Sequence, residues 1–224
     1  MSIWFVPRDA AARSMGADAV ANALEARGET VIRNGSRGML WMEPLVERAD
    51  ERHGPRVGWA NVTAGQIEAG LPDEQADNFI GVVEEFDYLA RQNRWIYERV
   101  GITDPVDPED YVAHGGLTGL KNALALSGSD VVQAVTDSGL RGRGGAGFPA
   151  GIKWRTVADQ APAPHAGESQ NAPAHKYICV NADEGDSGTF ADRMLMEGDP
   201  FCLLEGMTIA AHAVGADRGL VYLR

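Results

Sequence analysis

The chain has 224 residues, 44% hydrophobic and 23% charged, the balance of a folded globular chain with one sizeable core or two small ones. Asp and Glu total 32 against 20 for Lys and Arg, and the net charge of −12 argues against a nucleic-acid partner held through its phosphates. Two cysteines, Cys179 and Cys202, exclude a disulfide scaffold and a four-cysteine metal site, and no apolar run approaches the length of a membrane span.

The opening residues, MSIWFVPRDAAARSMG, lack the basic-then-apolar order of a secretory signal, so a cytoplasmic location is expected. Residues 1–72 read as a small α/β domain. Ile3–Val6 is a short strand. Asp9 or Ser14 starts a helix whose apolar side includes Met15, Ala19, Val20, Ala23 and Leu24, and Gly28 stops it. Thr30–Arg33 and Met39–Val46 follow as strands of a hairpin turning at Asn34-Gly35. Val57–Val62 is a further strand, and Thr63 with Gln66 forms a capping box for a short helix. That order of elements suggests a thioredoxin-like domain.

Residues 73–128 read as a helical connector. Phe79, Val82, Val83, Phe86 and Leu89 recur at three- and four-residue steps, as one face of an amphipathic helix does, and Thr103–Pro108 marks a joint. In residues 129–224 a helix from about Asp130 ends at Ser138-Gly139, and another spans Pro149–Val157. Ala158–His175 is an Ala/Pro/Gly/Ser-rich surface loop. Tyr177–Val180 is a strand, followed by an acidic loop, a helix around Phe201–Val214 and a strand Leu220–Leu223. A strand with no helix after it to cover it suggests that the chain is a piece of a longer subunit.

Gly139–Trp154 reads GLRGRGGAGFPAGIKW. Glycines let backbone N–H groups approach an oxyanion, a helix start adds a favourable dipole, and Arg141, Arg143 and Lys153 add positive charge. These features suit a phosphate, or a flat cofactor carrying one. Gly142, Gly144 and Gly147 satisfy G-x-G-x-x-G, but SDVVQAVTDSG before them looks helical where a dinucleotide fold needs a strand. A Walker A loop fails because Trp154 follows Lys153. A tight bend between packed elements accounts for two or three glycines, not for six from Gly139 to Gly151 among three cations.

Asn181–Asp192 reads NADEGDSGTFAD and follows an apolar strand directly. Carboxylates at the carboxyl end of a strand are placed to accept hydrogen bonds from ligand hydroxyls or a ring N–H in the crevice there. The positions do not fit a calcium loop. A solvated turn with Asp183 or Asp186 capping the next helix is the alternative.

Together, GLRGRGGAGFPAGIKW and YICVNADEGDSGTFADR resemble the flavin- and NADH-binding subunit of respiratory complex I. They are equally similar to the diaphorase subunits of NAD-reducing hydrogenases and of NAD-dependent molybdenum formate dehydrogenases. The resemblance covers roughly Ser129 onward and makes 129–224 the first part of an FMN/NADH-binding α/β domain. It implies FMN contacts for Gly142, Gly144, Lys153, Asn181, Asp183 and Glu184. It implies that Gly145, Ala146, Gly147, Phe148 and Asp186 face NAD(H). Two positions depart from the pattern: Thr156 replaces an aromatic residue, and Asp186 replaces the more usual Glu.

Residues 1–72 resemble the thioredoxin-like iron–sulfur subunit that accompanies this family. Alignment on Pro44 puts its C-x3-C cysteines at Ser36 and Leu40, which cannot hold a cluster, so a docking domain without cofactor is expected. RNGSRGMLWMEPLVE, RVGITDP and DEGDSGTF make the formate dehydrogenase beta subunit the most similar version. That likeness implies a molybdenum-containing catalytic subunit and a small 2Fe-2S subunit as partners, and a 4Fe-4S cluster only beyond the stretch given. Cys179, Cys202, Trp41 and Trp154 read as packing residues. His53, His114, His165, His175 and His212 show no metal-binding spacing, so no metal ligand and no catalytic acid or base is assigned.

Overall fold

A computed structural model describes residues 2–164, 167, 169, 174–186 and 188–223. His165 and part of the loop Ala158–His175 lie outside the described residues. The chain forms two compact units, residues 1–114 with 189–200 and residues 115–188 with 201–224.

The first unit is built on a sheet of order β2-β1-β3-β4-β5. Strand β1 (Ile3–Phe5) is apolar, and Asp9 ends the loop after it by accepting hydrogen bonds from Ala11 N and Ala12 N at 3.1 and 3.2 Å. That cap starts α1 (Ala10–Ser14), and Gly16, at φ +102°, separates it from α2 (Ala17–Ala26). The break turns the helical face: Met15 and Ala19 are exposed where both were expected in the core, whereas Ala17, Val20, Ala21, Ala23 and Leu24 are buried. Gly28, at φ +82°, ends α2 as expected, and Glu29 N donates to Leu24 O at 3.1 Å.

Strand β2 (Thr30–Ile32) returns parallel to β1, as a helical crossover requires. The hairpin expected at Asn34-Gly35 does not form. Leu40–Met42 is a 3-10 turn, and β3 (Val46–Ala49) begins where the second hairpin strand was expected to end and pairs antiparallel with β1. Asn34 Nδ2 instead donates to Gly101 O at 2.7 Å, and Gly35 lies so close to Gly198 that an added Cβ would stand 2.9 Å from its Cα. Strand β4 (Val57–Trp59) pairs antiparallel with β3, and α3 (Ala64–Ala69) carries the expected capping box between Thr63 and Gln66.

The helix expected from Phe79 to Leu89 is instead β5 (Phe79–Val82), a 3-10 turn Val83–Glu85 and α4 (Asp87–Ala90). Phe79 packs on Trp59 and Trp59 on Trp4, with ring centroids 5.3 and 5.6 Å apart, so tertiary packing overrides the helical spacing. Helix α5 (Pro108–Ala113) starts at the expected joint, with Asp107 as cap and Pro108 in the first turn.

The same unit holds a buried charge cluster. Arg37 donates from Nε and Nη2 to the two carboxylate oxygens of Glu47, both at 2.8 Å, and Arg56 Nη1 reaches Glu47 Oε2 at 3.2 Å. Burial pushes the Glu47 carboxyl up, but the two guanidiniums outweigh it and hold it below its ordinary value.

The second unit begins with α6 (Thr118–Leu124), whose first-turn N–H groups are capped from afar: Glu205 accepts from Leu117 N and Leu120 N, both at 2.8 Å. Helix α7 (Gly128–Asp137) is capped by Ser127 and ends at Ser138-Gly139, as expected. Helix α8 (Ala150–Ala158) follows Pro149, and β6 (Tyr177–Ala182) follows the surface loop. The chain then supplies α9 (Ala191–Gly198) to the first unit, an element the acidic-loop reading missed. It returns with α10 (Pro200–Val214) and β7 (Arg218–Leu223), parallel to β6. Ala123, Val131, Val132, Ala213 and Val214 form the core, with Trp154, Ala158 and Ile178 against it. Cys179 is exposed and Cys202 half-buried, so neither is the core residue expected. Trp41 is exposed too, edge-on to Tyr88.

Candidate functional site

The glycine loop is closed by its own backbone hydrogen bonds. Gly142 N donates to Phe148 O at 2.9 Å, Ala150 N to Leu140 O at 2.8 Å, and the Arg141 guanidinium to Gly147 O at 2.9 Å. Gly145 at φ +102° and Gly147 at φ +60° take left-handed backbone that favours glycine. A Cβ added at Gly144, Gly145 or Gly147 would meet no atom of the described residues within 4 Å, so the space beside the loop is open among them. Gly142 has the Phe148 backbone as its nearest neighbour, at 3.7 Å.

Gly151 serves differently. Its added Cβ would stand 2.6 Å from Thr136 Cα, so this glycine lets α8 pack against α7. Among the described residues no side chain caps the start of α8, and its first turn carries no acid. The helix therefore presents first-turn N–H groups without a side-chain cap and a positive dipole end, with exposed Lys153 on the same helix. Ala146 and Lys153 are exposed, and Phe148 is 48% exposed, a ring held at the surface without a core to fill.

Strand β6 carries the second loop. Asn181 closes the strand's polar end, with its Oδ1 accepting from Asp183 N at 3.2 Å, and Asp186 Oδ1 accepts from Gly188 N at 3.5 Å. Asn181, Asp183 and Asp186 are exposed and Glu184 is half-buried. At the opposite end of β6, Lys176 Nζ donates to Ala158 O and Val214 O, both at 3.0 Å, tying the last turns of α8 and α10 to the strand's start. The glycine loop and the acidic loop thus leave from the ends of α8 and β6 that this tie does not occupy. All eleven residues singled out by sequence belong to the second unit.

In the first unit, Ser36 and Leu40 line one cavity of about 290 Å³ with Asp9, Phe190, Met194 and Glu197. Ser36 Oγ donates to Glu43 Oε1 at 2.5 Å, and Leu45 N donates to Glu43 Oε2 at 2.9 Å. Burial nevertheless pushes the Glu43 carboxyl up to about 7, against the pull of those two bonds. Sequence reading missed this buried carboxylate, which stands beside Pro44 without any motif. It also missed the approach of His53 to His114, since only the fold brings them together.

Residues 135–224 match the family model of the Nuo51 FMN-binding domain. Among similar proteins is the NADP-reducing hydrogenase subunit HndC of Solidesulfovibrio fructosivorans, 43% identical over 134 residues, 60% of this chain and 25% of that protein. An NADH-quinone oxidoreductase subunit of Rhizobium meliloti is 46% identical over 115 residues, covering 51% and 25% respectively. The NAD-reducing hydrogenase HoxS subunit alpha of Cupriavidus necator is 46% identical over 105 residues, covering 47% and 16%. The chain spans a quarter or less of the length of these relatives. A solved NAD+-reducing [NiFe]-hydrogenase aligns with all of this chain and 37% of its own at 24% identity, with a TM-score of 0.42 that carries no argument. Among the described residues, no helix is long and apolar enough to cross a membrane.

Proposed function

We propose that the second unit holds FMN and NAD(H) face to face for hydride transfer between them. The observation that carries this reading is the open, side-chain-free space beside Gly144, Gly145 and Gly147, next to a helix start that no side chain caps. In this reading Gly142 and Gly144 let the main chain approach FMN, Lys153 offsets its negative charge, and Asn181, Asp183 and Glu184 accept from its hydroxyl and ring N–H groups. Gly145, Ala146 and Gly147 leave room for NAD(H), the exposed Phe148 ring stacks on it, and Asp186 takes the nicotinamide amide. FMN, when bound, supplies a carrier that exchanges hydride with nicotinamide and single electrons with iron–sulfur centres. The chain's own residues fix and orient the two rings; the reaction needs no general acid or base from them.

The setting we infer is the beta subunit of an NAD-dependent molybdenum formate dehydrogenase, working in the cytoplasm with a molybdenum-containing catalytic subunit and a 2Fe-2S partner. The motifs DEGDSGTF and RNGSRGMLWMEPLVE favour it over a hydrogenase or complex I diaphorase. Residues 1–72 serve there as a thioredoxin-like docking domain, while the expected connector 73–128 divides, β5 joining the sheet of the first unit and α6 belonging to the second. The parallel β1–β2 pair joined through α2, the antiparallel β3 and β4, and Ser36 and Leu40 in place of cluster cysteines support that role.

The test is spectroscopic. The chain purified in its native assembly should show flavin absorption that NADH bleaches within the mixing time of a stopped-flow instrument. Protein without flavin, or flavin that NADH leaves oxidised, overturns the hydride-transfer reading and leaves an assembly module. Formate failing to bleach the same flavin in the assembly removes the formate dehydrogenase setting alone.

A further inference from the structure

A histidine of the β3–β4 turn meets an aspartate and a histidine of the distant α5 in the first unit. His53, Asp110 and His114 each offer a ligand atom within 4.8 Å of the others. The two imidazole rings stand edge to face with centroids 4.8 Å apart. Asp110 and His114 share one face of α5, a helical turn apart, and His114 closes that helix.

The geometry of His114 suits a ligand. Its Nδ1 lies 2.8 Å from the Asp110 carbonyl oxygen, which can only accept, so Nδ1 donates there and Nε2 is left outside that bond. Metal-bound histidines are held in this way, with the other ring nitrogen donating to a carbonyl or carboxylate.

Asp110 is oriented in the same fashion. Its buried carboxylate accepts from Arg52 Nε at 3.2 Å and from Asp104 N at 2.8 Å, one bond on each oxygen, and each oxygen keeps a further lone pair. Arg52 is shared with Asp107 Oδ2 at 2.9 Å, so two carboxylates face one guanidinium. His53 is exposed on the β3–β4 turn and is the ligand free to adjust. Bonds of about 2.0–2.2 Å to one ion bring such donor atoms closer than 4.8 Å, so binding requires the exposed His53 side chain to move toward the other two.

We propose that His53, Asp110 and His114 bind one divalent transition-metal ion of the zinc type, with water completing the tetrahedron. Two imidazoles with one carboxylate favour zinc and its neighbours over calcium or magnesium, which take mostly oxygen ligands. The ion fastens the β3–β4 turn to α5.

The test is a calorimetric titration of the EDTA-treated full chain with zinc chloride, with thermal unfolding beside it. The expected result is one site with a micromolar or tighter Kd, a raised Tm, and no competition from millimolar magnesium. His53→Ala and His114→Ala each weaken zinc at least tenfold, while His175→Ala and His212→Ala leave it unchanged. No saturable single site, binding indifferent to His53→Ala, or equal loss in the His175 or His212 variants overturns the proposal. Because His53 is exposed, its variant decides the matter even where His114→Ala fails to fold. Cobalt(II) in place of zinc should give the intense visible bands of a tetrahedral site, and pale octahedral bands contradict the geometry.

Discussion

The two units use polar residues in opposite ways. In the first, charged groups are turned inward and consume one another: Glu47 is fully buried between Arg37 and Arg56, and Glu43 is bonded to Ser36. In the second, Asn181, Asp183, Asp186 and Lys153 stand exposed, and the glycine loop leaves its own backbone without side chains to cover it. Buried charges gain their worth from partners within the fold, whereas exposed charges beside bare amides stay free to meet a ligand. The contrast separates charge that specifies the fold from charge that suits a binding site.

The strongest way to break that contrast is to remove a buried partner. Glu47→Leu takes from two buried guanidiniums the carboxylate they share, leaving Arg37 only the exposed Glu84 at 2.9 Å, and denaturant unfolding should show a loss of about 3–5 kcal/mol. A loss under about 1 kcal/mol would mean that water reaches the cluster.

Glu43 sharpens the contrast through pH. The folded state binds its proton more tightly than the unfolded chain, since the carboxyl titrates at about 7 when folded against an ordinary 4.5. The stabilisation is therefore complete below about 4.5 and is lost as pH rises through about 7, on the order of 3 kcal/mol in all. Unfolding curves across that window should slope downward in the wild type, and the part of the slope due to this group should vanish in Glu43→Gln.

A smaller effect distinguishes two kinds of glycine within the second unit. Gly151→Ala forces a methyl against the Thr136 backbone and should cost about 1–3 kcal/mol in thermal unfolding. Gly144→Ala, where nothing stands within 4 Å, should leave Tm within a degree or two of wild type.

Local chemistry was the legible part of this fold. Asp9, the Thr63–Gln66 box, Gly28, Gly139 and Pro149 all mark element ends where expected, because caps and left-handed glycines act within a few residues. The glycine and acidic loops were legible for the same reason, each being one continuous segment. What stayed hidden depended on distant partners. Phe79–Leu89 has helical spacing, yet Trp59 and β4 draw its first residues into a strand. Asn34-Gly35 looks like a hairpin turn until Gly198 and Gly101 are found against it. Helix α9 lay concealed in the acidic run because its anchors come from far along the chain, Ala10 N on Glu197 and Arg99 on Asp199. His53 and His114 met only through the fold.

The central claim is that bare main chain around Gly144 cradles the flavin. Flavin released from the acid-denatured native assembly, quantified against protein for wild type and Gly144→Val, tests it most directly. We expect about one FMN per wild-type chain and less than a tenth of that in the variant, with Tm of the apoprotein unchanged. A variant that retains its full complement of FMN would contradict the account.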